Sequence, residues 1–482
     1  MPDLRPVLYV TGMMIAALGV IMFIPMFVDL AYRDVSWQAF GVAGFVTTLF
    51  GGVMTLTNYA PNARFRARGA FLLTTVSWVG MSIFAAFPLL LSSIGLGITD
   101  SLFEAVSGIT TTGSTVMTGL DDAPKGVLLW RSILQWIGGV GIIVTAMAIL
   151  PMLNVGGMQL FRLESSDMGD KILPNAAELA KAIGLIYLGL TVLCAICYMA
   201  VGMNGFDAIA HAMTTIATGG YSTSDASLGG FMDDGADLVG IAFMLAGALP
   251  FGIYLLAVRG NIRPALFDPQ MRAFLLVIVL FITVMTCYLW INSIHTGSNA
   301  VRLTAFNVIS IVTGTGYATT DYNAWGPFAV AAFFAFMFVG GCAGSTACSI
   351  KIFRYQVAFE ALRAYLFKMP RQHAVAPMRY GGKPLPEAVV FSVMGFFFLF
   401  MTCFAVSAIL LSLIGLDSIT AWSGAASSIA NVGPGLGNII GPTGNYQSLP
   451  DSAKWVLMMG MLIGRLEIVT ALVLLTPSFW RA

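Results

Sequence analysis

Ten long apolar stretches dominate this chain, near residues 8–28, 38–58, 71–95, 127–152, 181–203, 236–258, 272–292, 325–341, 388–414 and 454–476. A helix rising 1.5 Å per residue needs about 20 residues to cross a hydrocarbon core of about 30 Å. Most of these stretches are long enough. In lipid every backbone polar group must be satisfied within the protein, so such runs fold as helices. A water-soluble alternative is closed off by composition: 58% of the 482 residues are hydrophobic and 10% charged, against about 25% charged in a soluble domain. No small-residue cleavage site follows the first run convincingly, which reads as an uncleaved first helix. The fold class is an all-α integral membrane protein.

Several functions are excluded by what is missing. A net charge of +1 offers nothing to nucleic acid. The six cysteines lie in or beside apolar runs, and Cys194 and Cys197 form a CxxC inside a span, where they read as packing residues. His211, His295 and His373 are scattered and suggest no metal site. There is no Walker A motif and no GxGxxG opening a helix after a strand, so no nucleotide is bound by this chain. The "GGVG" at 138–141 reads as close helix packing. No nucleophile or paired carboxylates gather in the spans, so the chain is not an enzyme.

Between the long runs lie four shorter segments, near 100–112, 205–219, 300–315 and 417–432. They are too short to cross a membrane and fit re-entrant half-helices, which survive at membrane depth only when buried in protein or lining a watery cavity. After two leading helices the order is long, short, long, four times over. This is an internal repeat. The expected divisions are 1–68 for the leading helices, then pore repeats at 69–160, 161–262, 263–370 and 371–482. Asp100 and Asp207 stand at matching places as expected N-caps of the first two short helices.

Each short segment ends in a glycine-rich stretch: "TTGST" at 111–115, "TGGYS" at 218–222, "GTGYA" at 314–318 and "NVGPG" at 431–435. The third position is glycine in all four: Gly113, Gly220, Gly316 and Gly433. "NVGPG" matches the potassium-channel filter signature TVGYG at the valine and both glycines. In such a filter glycine lets the backbone turn its carbonyl oxygens toward an axis, where they replace the hydration shell of a monovalent cation. One chain would here supply all four walls around a pseudo-fourfold pore. The candidate potassium-binding residues are Thr111, Thr112 and Gly113; Thr218, Gly219 and Gly220; Gly314, Thr315 and Gly316; and Asn431, Val432 and Gly433. Only the central glycine is common to all four, so fewer stacked ion sites are expected than in a potassium channel.

Charge sets the orientation. With the N-terminus and the loops opposite the filters placed in the cytoplasm, Arg33, Lys125, Arg131, Arg302 and Lys454 fall outside. Arg465 falls in a span, and the other 18 of the 24 Lys and Arg residues fall inside, among them Arg64, Arg66, Arg68, Arg259, Arg263 and those of 351–383. This satisfies the positive-inside rule. Acids gather at the outer mouth, where they would concentrate cations.

These four membrane–pore-loop–membrane repeats resemble the Trk/Ktr/HKT superfamily of potassium transporters. The two leading helices and "GCAGST" point to its Trk-type membrane subunit. The resemblance implies potassium uptake as the activity, with potassium as cargo. It also implies a bacterial inner-membrane location, a homodimer with one pore per protomer, and a cytosolic TrkA-type ring of nucleotide-binding regulatory subunits. In plant relatives a serine in place of the first filter glycine goes with sodium transport; Gly113 leans toward potassium. An ion-coupled symporter and a less selective sodium/potassium transporter are the alternatives. The basic segments around 351–383 would face the cytosolic partner or anionic lipids.

Two features suggest a gate. The helix after the third filter is interrupted by "VGGCAGSTACSIK" at 339–351. Gly340, Gly341, Cys342, Ala343, Gly344, Ser345 and Thr346 resemble the family's intramembrane gating loop. Ala347, Cys348 and Ser349 stand where relatives run on with glycines. Arg465 lies mid-span, where a cation costs about 2.5–3.5 kcal/mol on insertion scales. Glu467, two residues away, points to another face of the same helix. A pore-facing arginine, resembling that of the family's fourth repeat, is expected over a salt bridge to a neighbouring helix.

Overall fold

The structure is a computed structural model that describes residues 4–59, 67–144, 176–232, 235–261, 267–371 and 376–481. The end of the fourth apolar run (145–152), Arg64, Arg66, Arg263 and His373 lie outside the described residues.

Two leading spans come first: α1 (Arg5–Ile21) with its continuation α2 (Phe23–Tyr32), and α3 (Trp37–Thr57). They pack glycine to backbone. A Cβ on Gly12 would stand 2.7 Å from Thr55 Oγ1, and one on Gly51 would overlap the backbone nitrogen of Ala16. Small residues thus let two apolar helices approach where lipid supplies no hydrophobic drive.

The first repeat is α4 (Ala67–Leu91), short helix α5 (Ile98–Ile109) and α6 (Lys125–Val144). The second is α7 (Ala176–Ala200), short helix α8 (Gly205–Ile216), then α9 (Ala236–Ala248) and α10 (Phe251–Val258). The third is α11 (Pro269–Ile291), α12 (Gly297–Thr313), α13 (Pro327–Phe336) and α14 (Ile352–Lys368). The fourth is α15 (Glu387–Ile414), short helix α16 (Ser418–Ala430), α17 (Asp451–Arg465) and α18 (Ile468–Leu472). Among the described residues the strands are limited to a two-residue hairpin, Arg379–Tyr380 with Lys383–Pro384.

Burial sorts the helices into rings. In α15 only 22% of the apolar window is buried within the protein, against 67% in α6. Phe391, Phe398 and Leu413 of α15 are exposed on the outside of the protein. The largest buried apolar cluster joins repeats 2, 3 and 4 to Phe103 and Val106 of α5. The leading helices instead pack with repeat 1, through Leu18, Met22, Phe40, Trp130 and their neighbours. This is a multi-pass membrane protein whose four repeats surround one centre.

Three expectations need correction. The runs at 236–258 and 454–476 are not straight spans: α9 and α10 meet at 93°, and α17 meets the segment after it at 109°. At the first break Pro250 lacks an N–H and holds Leu249 extended (ψ 155°). At the second, Glu467 turns with φ +59°, so Arg465 ends a helix instead of lying mid-span. The run at 325–341 is helical over only ten residues, α13. Asp100 and Asp207 are not N-caps. Gly97 and Asn204 hold those positions, and both aspartates sit in the first turn. Asp207 is third in α8, and its N–H is capped by Asn204 Oδ1.

Candidate functional site

The four glycine-rich stretches follow the C-termini of α5, α8, α12 and α16 with one backbone design. Two residues before each central glycine the chain turns left-handed, at Thr111 (φ +52°), Thr218 (+49°), Gly314 (+72°) and Asn431 (+52°). The turns reuse the helix-end carbonyls. Thr112 N bonds Ser107 O at 2.9 Å, Gly219 N bonds Thr214 O at 2.9 Å, Thr315 N bonds Ser310 O at 2.9 Å, and Val432 N bonds Ser427 O at 3.0 Å. These are Schellman-type closures, which stop the helix and satisfy orphan carbonyls. Threonine in this conformation is strained; the closing bonds hold it there.

The central glycines are left-handed too, with φ +87°, +79°, +85° and +108° at Gly113, Gly220, Gly316 and Gly433. A Cβ on Gly113 would overlap Gly219 O, one on Gly220 Thr315 O, and one on Gly316 Val432 O. On Gly433 it would stand 2.7 Å from Thr112 O. Each glycine thus abuts the carbonyl before the next glycine, and the chain of neighbours closes on itself in sequence order. The same Cβ on Gly113 would be 3.6 Å from Thr315 O, of the loop opposite. Four carbonyls, Thr112 O, Gly219 O, Thr315 O and Val432 O, therefore ring one narrow axis. The four central glycines and the four residues before them, all named from sequence, meet there. Four short helices also aim their C-termini, the negative ends of their dipoles, at the same centre.

The ring departs from fourfold symmetry one layer out. Gly433 O accepts from Ser114 Oγ (2.8 Å), Ser427 Oγ (2.9 Å) and Tyr446 Oη (2.8 Å). Its lone pairs are occupied by the protein. A recess of about 310 Å³ opens beyond, lined by the four glycines with Arg131 and Asp225 among others, and by none of 340–350.

On the other side of the ring lies the interrupted stretch. It threads the break between α9 and α10 and satisfies the groups that break releases. Cys342 N donates to Ala248 O (3.1 Å), Thr346 N to Gly247 O (3.1 Å), and Phe251 N to Gly344 O (2.9 Å). Ala343 N donates to Gln270 Oε1 (3.0 Å), and Ser345 Oγ to Cys342 O (2.6 Å). Thr346 Oγ1 reaches Ile216 O, the end of α8, at 3.0 Å. Gly340 and Gly341 let the stretch fold tightly: a Cβ on Gly340 would overlap Cys348 O, and one on Gly341 would stand 2.6 Å from Ala347 Cβ. Cys348 touches the ring itself, its sulfur 3.7 Å from Thr111 Oγ1.

Arg465 clasps this stretch. Nη1 donates to Thr346 O (3.3 Å) and to Cys348 Sγ, and Nη2 donates to Gly138 O of α6 (3.0 Å). Its partners among the described residues are thus carbonyls and a sulfur, with no carboxylate. Glu467 pairs with Arg354 of α14 instead, at 2.6 Å. Lys351 Nζ donates to Ala347 O nearby.

Sequence reasoning missed several contributors. Extending the four-loop register by six residues toward the N-terminus finds a hydroxyl every time: Ser107, Thr214, Ser310 and Ser427. Ser310 Oγ donates to Tyr317 O (2.7 Å) as Ser427 does to Gly433 O. The charges of Glu104 and Arg131 also had a signal, each lying in an apolar helix. They form a buried ion pair of 2.7 Å, 0% and 1% exposed. Glu104 also accepts from Val116 N (3.0 Å), and Arg131 Nη1 donates to Ser222 O (2.9 Å), clamping the segments that follow the first two loops. Arg131 and Lys454, assigned above to the outer side, are buried within the protein. Lys454 pairs with Asp100 at 2.6 Å.

The fold and the ring define an all-helical, multi-pass membrane protein with four repeats about one centre. The chain belongs to the TrkH family, described as cation transport protein, whose pattern matches residues 36–481. It is 45% identical over 477 residues to the Trk system potassium uptake protein TrkI of Halomonas elongata, covering 99% of this chain and 97% of that one. It is 36% identical over 482 residues to the Trk system potassium uptake protein TrkH of Escherichia coli, covering 99% of each. The crystal structure of the potassium transporter TrkH from Vibrio parahaemolyticus superposes with a TM-score of 0.92, at 36% identity and 100% coverage of both chains.

Proposed function

We propose that this chain takes up potassium across the cytoplasmic membrane through a gated, channel-like pore with a four-loop carbonyl filter. The observation that carries the reading is the closed succession of glycine-to-carbonyl neighbours from Gly113 through Gly220 and Gly316 to Gly433. It is supported by the relatives, which are named as potassium uptake proteins. A dehydrated potassium ion exchanges its water for ring carbonyls. Helix C-termini offset the rest of the desolvation cost.

In this reading residues 340–350 block the path below the filter, and Arg465 holds them. A fixed cation in a low-dielectric constriction repels potassium far more strongly than in water. Opening requires Arg465 to release Thr346 and Cys348. A cytosolic TrkA-type nucleotide-binding ring would drive that release from the face bearing α14 and residues 376–383. The homodimer and the cytoplasmic N-terminus are parts of the same proposal.

Liposome flux tests it. Gly113→Ser places a side chain against Gly219 O at a left-handed position, so sodium flux should rise relative to potassium. An unchanged ratio in folded protein would count against a carbonyl filter. Imposing a pH gradient on the same vesicles reports coupling: uncoupled flux should follow the potassium gradient alone.

A further inference from the structure

Resting on that reading of the ring, one buried side chain outside the four loops calls for an explanation. The residue before the central glycine is Thr112, Thr315 or Val432 in three loops and Gly219 in the second. Gly219 is not left-handed, so its backbone does not demand glycine. Space does: a Cβ there would overlap the amide of Gln135, which α6 of the preceding repeat inserts into the position. Gln135 is fully buried. Its Nε2 donates to Gly219 O at 2.6 Å, and its Oε1 accepts from Tyr221 N at 3.0 Å. Because Tyr221 N can only donate, the orientation of the amide is fixed. In the first and third loops the threonines at this position brace themselves locally, Thr112 on Thr110 at 2.7 Å and Thr315 on Thr313 at 2.8 Å. The second loop has Ala217 in place of that hydroxyl partner and so lacks both halves of the brace.

We infer that Gln135 is a positioning residue of the filter, supplying from the neighbouring repeat the side chain that the second loop lacks. It holds Gly219 O and Tyr221 N at a fixed separation across the ring layer. It also places an N–H on one of the four ring carbonyls, which weakens the field of that wall toward a cation. Without this brace the second wall is free to close around a smaller ion.

The test compares potassium and sodium flux in proteoliposomes for four variants, with folded yield measured on each. Gln135→Leu keeps the bulk and removes both bonds. The potassium-to-sodium ratio should fall roughly two- to tenfold, the worth of one net hydrogen bond. Gly219→Thr alone should clash with Gln135 and fold poorly or lose selectivity. Gln135→Ala combined with Ala217→Thr and Gly219→Thr restores both halves of the local brace and should recover the ratio and yield relative to Gly219→Thr alone. Gly113→Ser is the reference. If it shifts the ratio while folded Gln135→Leu does not, the role of Gln135 is overturned and the filter reading stands. If neither shifts it, the filter reading falls and takes this inference with it. Should Gln135→Leu not fold, the triple variant decides: no recovery over Gly219→Thr overturns the inference.

Discussion

Arg465 is a buried cation whose charge is met by two carbonyls, a sulfur and the Trp78 ring at 5.9 Å, and its Nε finds no partner among the described residues. An arginine kept under these terms is costly, and in the proposed gate its use is the clasp on Thr346 and Cys348. Arg465→Ala removes charge and clasp together. Hydrogen bonds to charged groups are worth about 1.5–3 kcal/mol each, offset here by relief of the buried charge. A net loss of about 1.4 kcal/mol from the closed form raises the open fraction tenfold. Potassium flux should therefore rise on the order of tenfold, with little change in potassium-to-sodium preference, because no ring carbonyl is touched. Arg465→Lys keeps the charge but loses the planar fork, so its flux should lie between the two. Low folded yield with no gain in flux among the folded molecules would retire the gating role.

Broken helices and the stretch at 340–350 explain each other. A helix interrupted at membrane depth leaves backbone groups that lipid cannot satisfy. Gly247 O, Ala248 O and Phe251 N are such groups, and each finds its partner in the stretch. The small residues of the following helices complete the fit. A Cβ on Gly138 would overlap Ile109 O, and one on Gly464 would overlap Ile429 O; on Gly247 it would stand 2.9 Å from Ile216 O. Three inner helices thus press glycines on a carbonyl at the C-terminal end of their own short helix. Under the proposed gating role, deleting residues 345–349 removes the obstruction while the four loops remain, so basal flux should rise. The deletion should also lower thermal stability, because Gly247 O loses its partner. Flux no faster than wild type from a folded, inserted deletion variant would mean that the stretch is not the gate.

At the scale of the molecule the four repeats are held in a ring by contacts between neighbours. Glu104 and Arg131 do this for repeats 1 and 2, through Val116 N, Ser222 O and the Tyr221 ring, whose centre lies 4.1 Å from the guanidinium. Removing one partner of a buried pair leaves a naked charge and costs about 3–5 kcal/mol, while replacing both with apolar groups costs far less. Arg131→Ala should accordingly lower the apparent Tm of the purified protein sharply. Glu104→Leu with Arg131→Met should recover most of it. A double variant no more stable than Arg131→Ala would show that the pair's bonds to the loops, more than its charges, hold the ring.

The membrane class, the two leading helices, the fourfold repeat and the register of Gly113, Gly220, Gly316 and Gly433 were all legible in the sequence. These features rest on local chemistry: runs long enough to cross, segments too short to cross, and glycine where the backbone turns left-handed. The interruption at 339–351 was legible for the same reason, since small and polar residues break an apolar run. Pro250 was an available signal for the break after α9 and went unread. The turn at Glu467 had no such signal, because its conformation is held by Arg354 from another helix. Nor did the sequence say that Arg131 is buried, that Gly433 O is taken by three hydroxyls, or that Gln135 fills the space of a side chain missing 84 residues away. Those are contacts between repeats. They depend on which surfaces the closed ring brings face to face, and no spacing within one repeat encodes that.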